Sequence, residues 1–186
     1  MRRTAAAVAA LALAVTALGT AATTATAAEG QGITACPTGW GSLDKNVSST
    51  KYKPLTDART GRHDCYDRIV FDVPGGGTGV GYRVGYVDAL YQDGTGDLIP
   101  VSGGAILSIR LVAPSYDYET GTPTYPGRAR QPLPGVDVSG YTTFRDTRFA
   151  SSFEGETLMG LGVRARLPFR VQQLTDKVVI DVAHTW

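Results

Sequence analysis

The sequence predicts an all-β fold: an antiparallel two-sheet β-sandwich carrying one disulfide. Apolar and polar residues alternate with period 2 in successive short runs after residue 66, the signature of strands with one buried face. No stretch of helical length carries an i, i+3, i+4 apolar stripe, and the connections are rich in Gly and Pro.

The elements follow in order. Tyr66 to Val73 sets Ile69, Phe71 and Val73 against Arg68, Val70 and Asp72, and Tyr82 to Asp88 sets Tyr82, Val84 and Tyr86 against Arg83 and Gly85. Ala105 to Ala113 puts Leu107, Ile109 and Leu111 opposite Ser108 and Arg110. Gly160 to Leu167 puts Leu161, Val163, Ala165 and Leu167 opposite Arg164 and Arg166. Phe169 to Leu174 and Lys177 to Ala183 form a last pair around Thr175-Asp176, and weaker runs cover 142–150 and 157–159. Phe71, Val84, Ile109, Val163, Phe169 and Ile180 are the expected shared core. Gly75 to Gly81, GGGTGVG, lacks the Lys-Ser/Thr ending of a phosphate loop and is expected to be a hairpin loop. Residues 116–134 form the longest irregular stretch, rich in Tyr and Arg.

The N-terminus sets the compartment. Arg2 and Arg3 precede an uncharged run, and Ala25-Thr26-Ala27 supplies a small-residue exit, so residues 1–28 read as a secretory signal peptide. The run is mostly Ala, Thr and Gly, a poor permanent membrane span. Ile33 to Cys36 imitates a lipobox, but Glu29-Gly30-Gln31-Gly32 separates it from the apolar run. The expected organisation is a signal peptide at 1–28, an extended arm at 29–65 and the sandwich at 66–186. The protein is expected to be secreted, in contact with the cell wall.

The chain carries a net charge of +1, which becomes −1 once Arg2 and Arg3 are removed. That balance excludes the basic excess that nucleic acid or an anionic membrane surface requires. The 2 cysteines, Cys36 and Cys65, form in an oxidising compartment most simply a disulfide. Closing a loop of about 30 residues stabilises the fold by about 3–4 kcal/mol on the chain-entropy view. A zinc site would need four N or S ligands, and only His63 and His184 accompany the cysteines, so no metal is expected. Asp88, Asp93 and Asp97 echo a calcium loop without its closing glutamate and are read as an Asp-Gly hairpin.

No Gly-x-Ser-x-Gly elbow is present, and no catalytic residue, cofactor or enzymatic activity is expected. The competing enzyme reading is a secreted glycan hydrolase using Glu154 and Glu156, which requires the two carboxyl groups to face each other across a sugar. A second alternative is a protein-interaction or inhibitory module using the 116–134 loop. What remains is arginine. Arg68, Arg83, Arg110, Arg164 and Arg166 fall opposite apolar strand sets, and Arg170 follows Pro168. Arg164 and Arg166 are expected to project from the same face of one strand. As ligand-binding residues, Arg164, Arg166, Arg170, Arg83 and Arg110 offer forked donors to carboxylates. The competing reading pairs most arginines with Asp67, Asp72 and Asp181 as solvated ion pairs.

Trp40-Gly41-Ser42, GRHDCYDRIVFDV (61–73), GYRVGYVD (81–88), DGTGDLIPVSGGAIL (93–107), SFEGET (152–157), GLGVRARLPFRVQQL (160–174) and KVVIDVAHTW (177–186) occur in that order. Over residues 36–186 the chain resembles the AMIN-like domain proteins secreted by actinobacteria. The resemblance implies a β-sandwich related to the AMIN domain, which targets amidases and secretins to the envelope by binding peptidoglycan. It implies a free-standing binding module and transfers no catalytic residue.

Overall fold

The computed structural model describes Cys36 and residues 39–186; the signal-peptide segment expected at 1–28 lies outside the described residues. Among the described residues every regular element is a strand, and no helix is long and apolar enough to cross a membrane. The strands are β1 (Lys45–Val47), β2 (Asp57–Arg62), β3 (Tyr66–Asp72), β4 (Tyr82–Val87), β5 (Leu90–Tyr91), β6 (Leu98–Ile99), β7 (Ala105–Leu111), β8 (Phe144–Phe153), β9 (Glu156–Val163), β10 (Phe169–Leu174) and β11 (Lys177–Ala183). A five-stranded sheet has the order β1-β4-β7-β9-β8, and a four-stranded sheet the order β10-β11-β3-β2, with antiparallel pairing throughout.

The alternation places the core between the two sheets. Ile69 and Phe71 of β3, Phe169 of β10 and Ile180 of β11 meet Val84, Ile109, Met159 and Val163 of the other sheet, each fully buried. All six expected core residues belong to this cluster. Burying a side chain of this size stabilises by about 1.5–3 kcal/mol, so period-2 patterning on both sheets suffices to fix which faces meet.

Several expectations change. Residues 45–47 and 57–62, expected to lie in an extended arm, are strands: β1 edges the five-stranded sheet and β2 the four-stranded one. GRHDCYDRIVFDV therefore spans the β2–β3 hairpin, with Arg62, His63 and Asp64 exposed at its turn. The Cys36–Cys65 disulfide, S–S 2.00 Å, ties the incoming chain to that turn. GGGTGVG is not a hairpin loop, because β3 and β4 belong to different sheets and the segment crosses between them. It is moored on the β10–β11 turn, where Gly77 N donates to Asp176 Oδ1 at 2.7 Å and Asp176 N to Gly77 O at 2.8 Å.

β9 is buried on both faces from Thr157 onward, because the β5–β6 hairpin and the chain after it fold over its outer side. Leu90, Ile99, Ala150 and Leu158 form a second small core there. The glycines of Gly160-Leu161-Gly162 allow this approach: a Cβ at Gly162 would sit 1.9 Å from Ser102 O, and one at Gly160 2.6 Å from Leu90 Cδ2. Gly162→Ala is expected to displace the 98–104 segment and destabilise the protein by about 1–3 kcal/mol, the range for overpacking, measurable by urea unfolding.

Candidate functional site

The five candidate arginines do not share a surface. Three gather at one end of the sandwich, where the β9–β10 connection, the C-terminal tail and the Trp40–Ser42 segment converge. β9 stops at Val163, so Arg164 and Arg166 lie in a bend and not on a strand. The reason is local: Val163 lies opposite Ala105 and Phe144, the first residues of β7 and β8, so no neighbouring strand continues beside Arg164 to Arg166. The bend still leaves both side chains exposed. Arg164 donates through Nη2 to the main-chain oxygen of His184. Arg166 contacts Ser42 Oγ at 3.4 Å and Ser42 O at 3.3 Å, and its guanidinium lies 5.1 Å from the Tyr86 ring centroid. Neither has a carboxylate partner among the described residues.

Trp186 completes this end. Its Nε1 donates to Arg166 O at 3.1 Å, while the residue remains 68% exposed. A large indole held in solvent beside two uncompensated cations has the character of a contact surface. Tyr86 supports the bend from beneath, donating its hydroxyl to Leu167 O at 2.8 Å and accepting from Leu167 N at 3.0 Å.

Arg170 turns onto the outer face of the four-stranded sheet and is spent there. It donates to Asp181 Oδ2 at 2.8 Å, while Arg68 takes both oxygens of the same carboxylate at 2.6 and 2.9 Å. Asp181 is fully buried beneath the two guanidinium groups. Trp40 stacks 4.4 Å over Arg170, and Tyr66 stands edge-on to Trp40 at 5.6 Å. Here the ion-pair reading holds for Arg68 and Arg170, and Arg59 pairs likewise with Asp72. It fails for Asp67, which points between the sheets and accepts main-chain N–H bonds from Thr143 and Phe144.

Arg83 and Arg110 sit on the outer face of the other sheet, directly opposite each other on β4 and β7. Arg110 is saturated by Asp93, at 2.8 and 2.9 Å, and by Glu156, at 3.1 Å. Arg83 is exposed and has no carboxylate partner among the described residues. A polar cavity of about 170 Å³ lies between Arg83, Asn46, Ser48 and Glu156. Glu154, at φ 50°, and Gly155, at φ 82°, form the two-residue β8–β9 turn, which accounts for Glu154. Glu156 holds Arg110, and with Glu154 and Asp93 it lines a polar cavity of about 410 Å³.

The hydrogen bonds from Arg110 hold the Asp93 carboxyl below the usual carboxylate range. A depressed folded value means the unfolded chain binds this proton more tightly. The pair's stabilisation is therefore complete above pH about 4, the unfolded value, and is lost as pH falls through the folded value. Asp93→Asn is expected to flatten the acid limb of the stability curve below pH about 4, as followed by thermal unfolding from pH 2 to 6. An unchanged limb would remove Asp93 from the acid response.

Trp40 and Trp186 were not among the expected site residues. The disulfide offered a clue to Trp40, since tying Cys36 to Cys65 brings Trp40 close to Tyr66. Nothing in the sequence places Trp186 beside Arg166.

A family model described as the AMIN-like domain matches residues 53–184. The chain belongs to the AMIN-like domain family. No curated protein and no solved structure matches it. The AMIN-like match takes in β2 to β11 and with them Arg164, Arg166 and Arg170. Trp40, Ser42 and Trp186, which frame the arginines, flank the AMIN-like span on either side.

Proposed function

We propose that the protein is an exported, non-catalytic module that binds a cell-envelope glycan, peptidoglycan in particular, through the Arg164–Arg166–Trp186 end. The observation carrying this reading is that Arg164 and Arg166 are exposed and bonded only to main-chain and hydroxyl oxygens, beside an exposed indole. Their forked donors suit the lactyl and peptide carboxylates of a wall polymer, and the indole offers a flat apolar surface to a sugar ring. Membership of the AMIN-like family supports the envelope as the target. The hydrolase reading has less behind it, because Glu156 is engaged by Arg110 and Glu154 sits in a turn.

Co-sedimentation with purified peptidoglycan tests the site. Arg164→Ala/Arg166→Ala is expected to weaken binding about tenfold or more, the loss of two charge-assisted contacts. The melting temperature should change little, since exposed contacts of this kind contribute about 0–1 kcal/mol. Binding retained in the double variant would place the ligand elsewhere.

A further inference from the structure

A second surface is built from the loop after β7 and the segment between β1 and β2. Three tyrosines form a strip of nearly parallel rings: Tyr52 to Tyr118 at 6.2 Å and 26°, and Tyr118 to Tyr116 at 6.5 Å and 20°. Tyr118 stands in the middle of the series, and Tyr116 is half-buried at its inner end. Tyr118 is 69% exposed and Tyr52 51%.

The strip is held in place. Gly155 lies against Tyr52, where a Cβ would meet the ring at 2.6 Å. Tyr116 bridges to Pro123, and Asp117 Oδ1 accepts from Thr120 N at 2.8 Å. Thr124 Oγ1 donates to Leu55 O at 2.8 Å, anchoring the loop to the body. Tyrosine rings fixed in this way present broad contact area at small entropic cost.

Tyr116 is also one wall of a cavity of about 470 Å³ bounded by Tyr125, Pro126, Arg128, Phe149 and Ser152. Its lining is mainly apolar and contains no Asp or Glu. Arg128 is exposed and has no carboxylate partner among the described residues. An occupant matching this lining has a flat apolar face, hydroxyl-bearing edges and one negative charge.

We propose that the Tyr52–Tyr118–Tyr116 strip and the adjoining cavity form a binding site for a carboxylate-bearing saccharide, its rings laid on the tyrosines and its carboxylate on Arg128. The site rests on the envelope-glycan reading for its ligand class and uses none of the residues of the Arg164 end.

Calorimetric titration with two soluble probes separates the contributions. One is the N-acetylglucosamine–N-acetylmuramic acid disaccharide; the other is the N-acetylglucosamine dimer, which lacks the carboxylate. Tyr118→Ala is expected to weaken both about tenfold, and Arg128→Ala to remove a roughly tenfold preference for the acidic probe. Both effects should persist in the Arg164→Ala/Arg166→Ala background. The proposal is overturned if neither probe binds. It is also overturned if Tyr118→Ala and Arg128→Ala titrate like the wild type, or if their effects vanish in the Arg164→Ala/Arg166→Ala background. Wild-type protein that pellets with the wall while the Tyr118 and Arg128 variants titrate normally would leave the Arg164 end standing and remove this site. Disaccharide binding that needs Tyr118 and Arg128, without pelleting on the wall, would do the reverse.

Discussion

Phe169→Ala is expected to destabilise the protein by about 3–5 kcal/mol, the cost of deleting a buried aromatic ring and leaving a cavity. Phe169 is fully buried at the start of β10, edge-on to Tyr86 at 5.7 Å, with Lys45 Nζ 4.0 Å above its ring. It therefore joins three elements at once: β10 of one sheet and β1 and β4 of the other. Burial of Lys45 pushes its ammonium below the usual lysine range, which the neighbouring Asp44 carboxylate partly offsets. Urea unfolding with an unchanged m-value would register the loss as a shift in midpoint. A change below about 1 kcal/mol, far under the usual range for such a deletion, would mean that Phe169 is not a core residue.

Asp67→Ala should cost about 2–5 kcal/mol, for a different reason. Asp67 is a fully buried carboxylate on the inward face of β3, two residues before Ile69. Its Oδ2 accepts from Thr143 N at 2.5 Å and Phe144 N at 3.2 Å, and His184 Nε2 lies 3.2 Å from Oδ1. One side chain thus ties the four-stranded sheet to the start of β8 and to the C-terminal tail. Alanine strands two buried N–H groups, at roughly 1–3 kcal/mol each. Asp67→Asn keeps an acceptor oxygen in place and is expected to lose clearly less. Equal losses in the two variants would show that the volume, and not the hydrogen bonds, matters at this position.

The alternation in the sequence was enough to identify the β3, β4 and β7 runs and their buried faces, because each has a simple period, while β10 and β11 were legible as a pair from the Thr175-Asp176 turn between them. It was not enough for β8. That strand runs from Phe144 to Phe153 with register shifts at Phe144/Asp146 and Phe149/Ser151, and bulges break period 2. β1 and β2 escaped notice because edge strands are polar: KNV and DARTGR bury one face at most. The same period that located the core also placed Asp67 inward, yet its charge suggested a surface ion pair. Only its main-chain partners, far away in sequence, explain a buried carboxylate. At the candidate site, the arginines were legible by type but not by grouping. Arg170 and Arg110 are consumed by Asp181 and Asp93, whereas Arg164 and Arg166 are left with main-chain and hydroxyl acceptors. That difference depends on which carboxylates the folded sheets bring into reach.

The claim that this AMIN-like domain binds an envelope glycan is tested most directly by mixing the 29–186 chain with purified peptidoglycan and measuring the pelleted fraction. Low salt and about 1 M salt, where the screening length falls to about 3 Å, form the two arms. Saturable pelleting at low salt that weakens at high salt is the expected result, since guanidinium–carboxylate contacts at an exposed end are screened. Protein that stays in the supernatant in both arms would contradict the account.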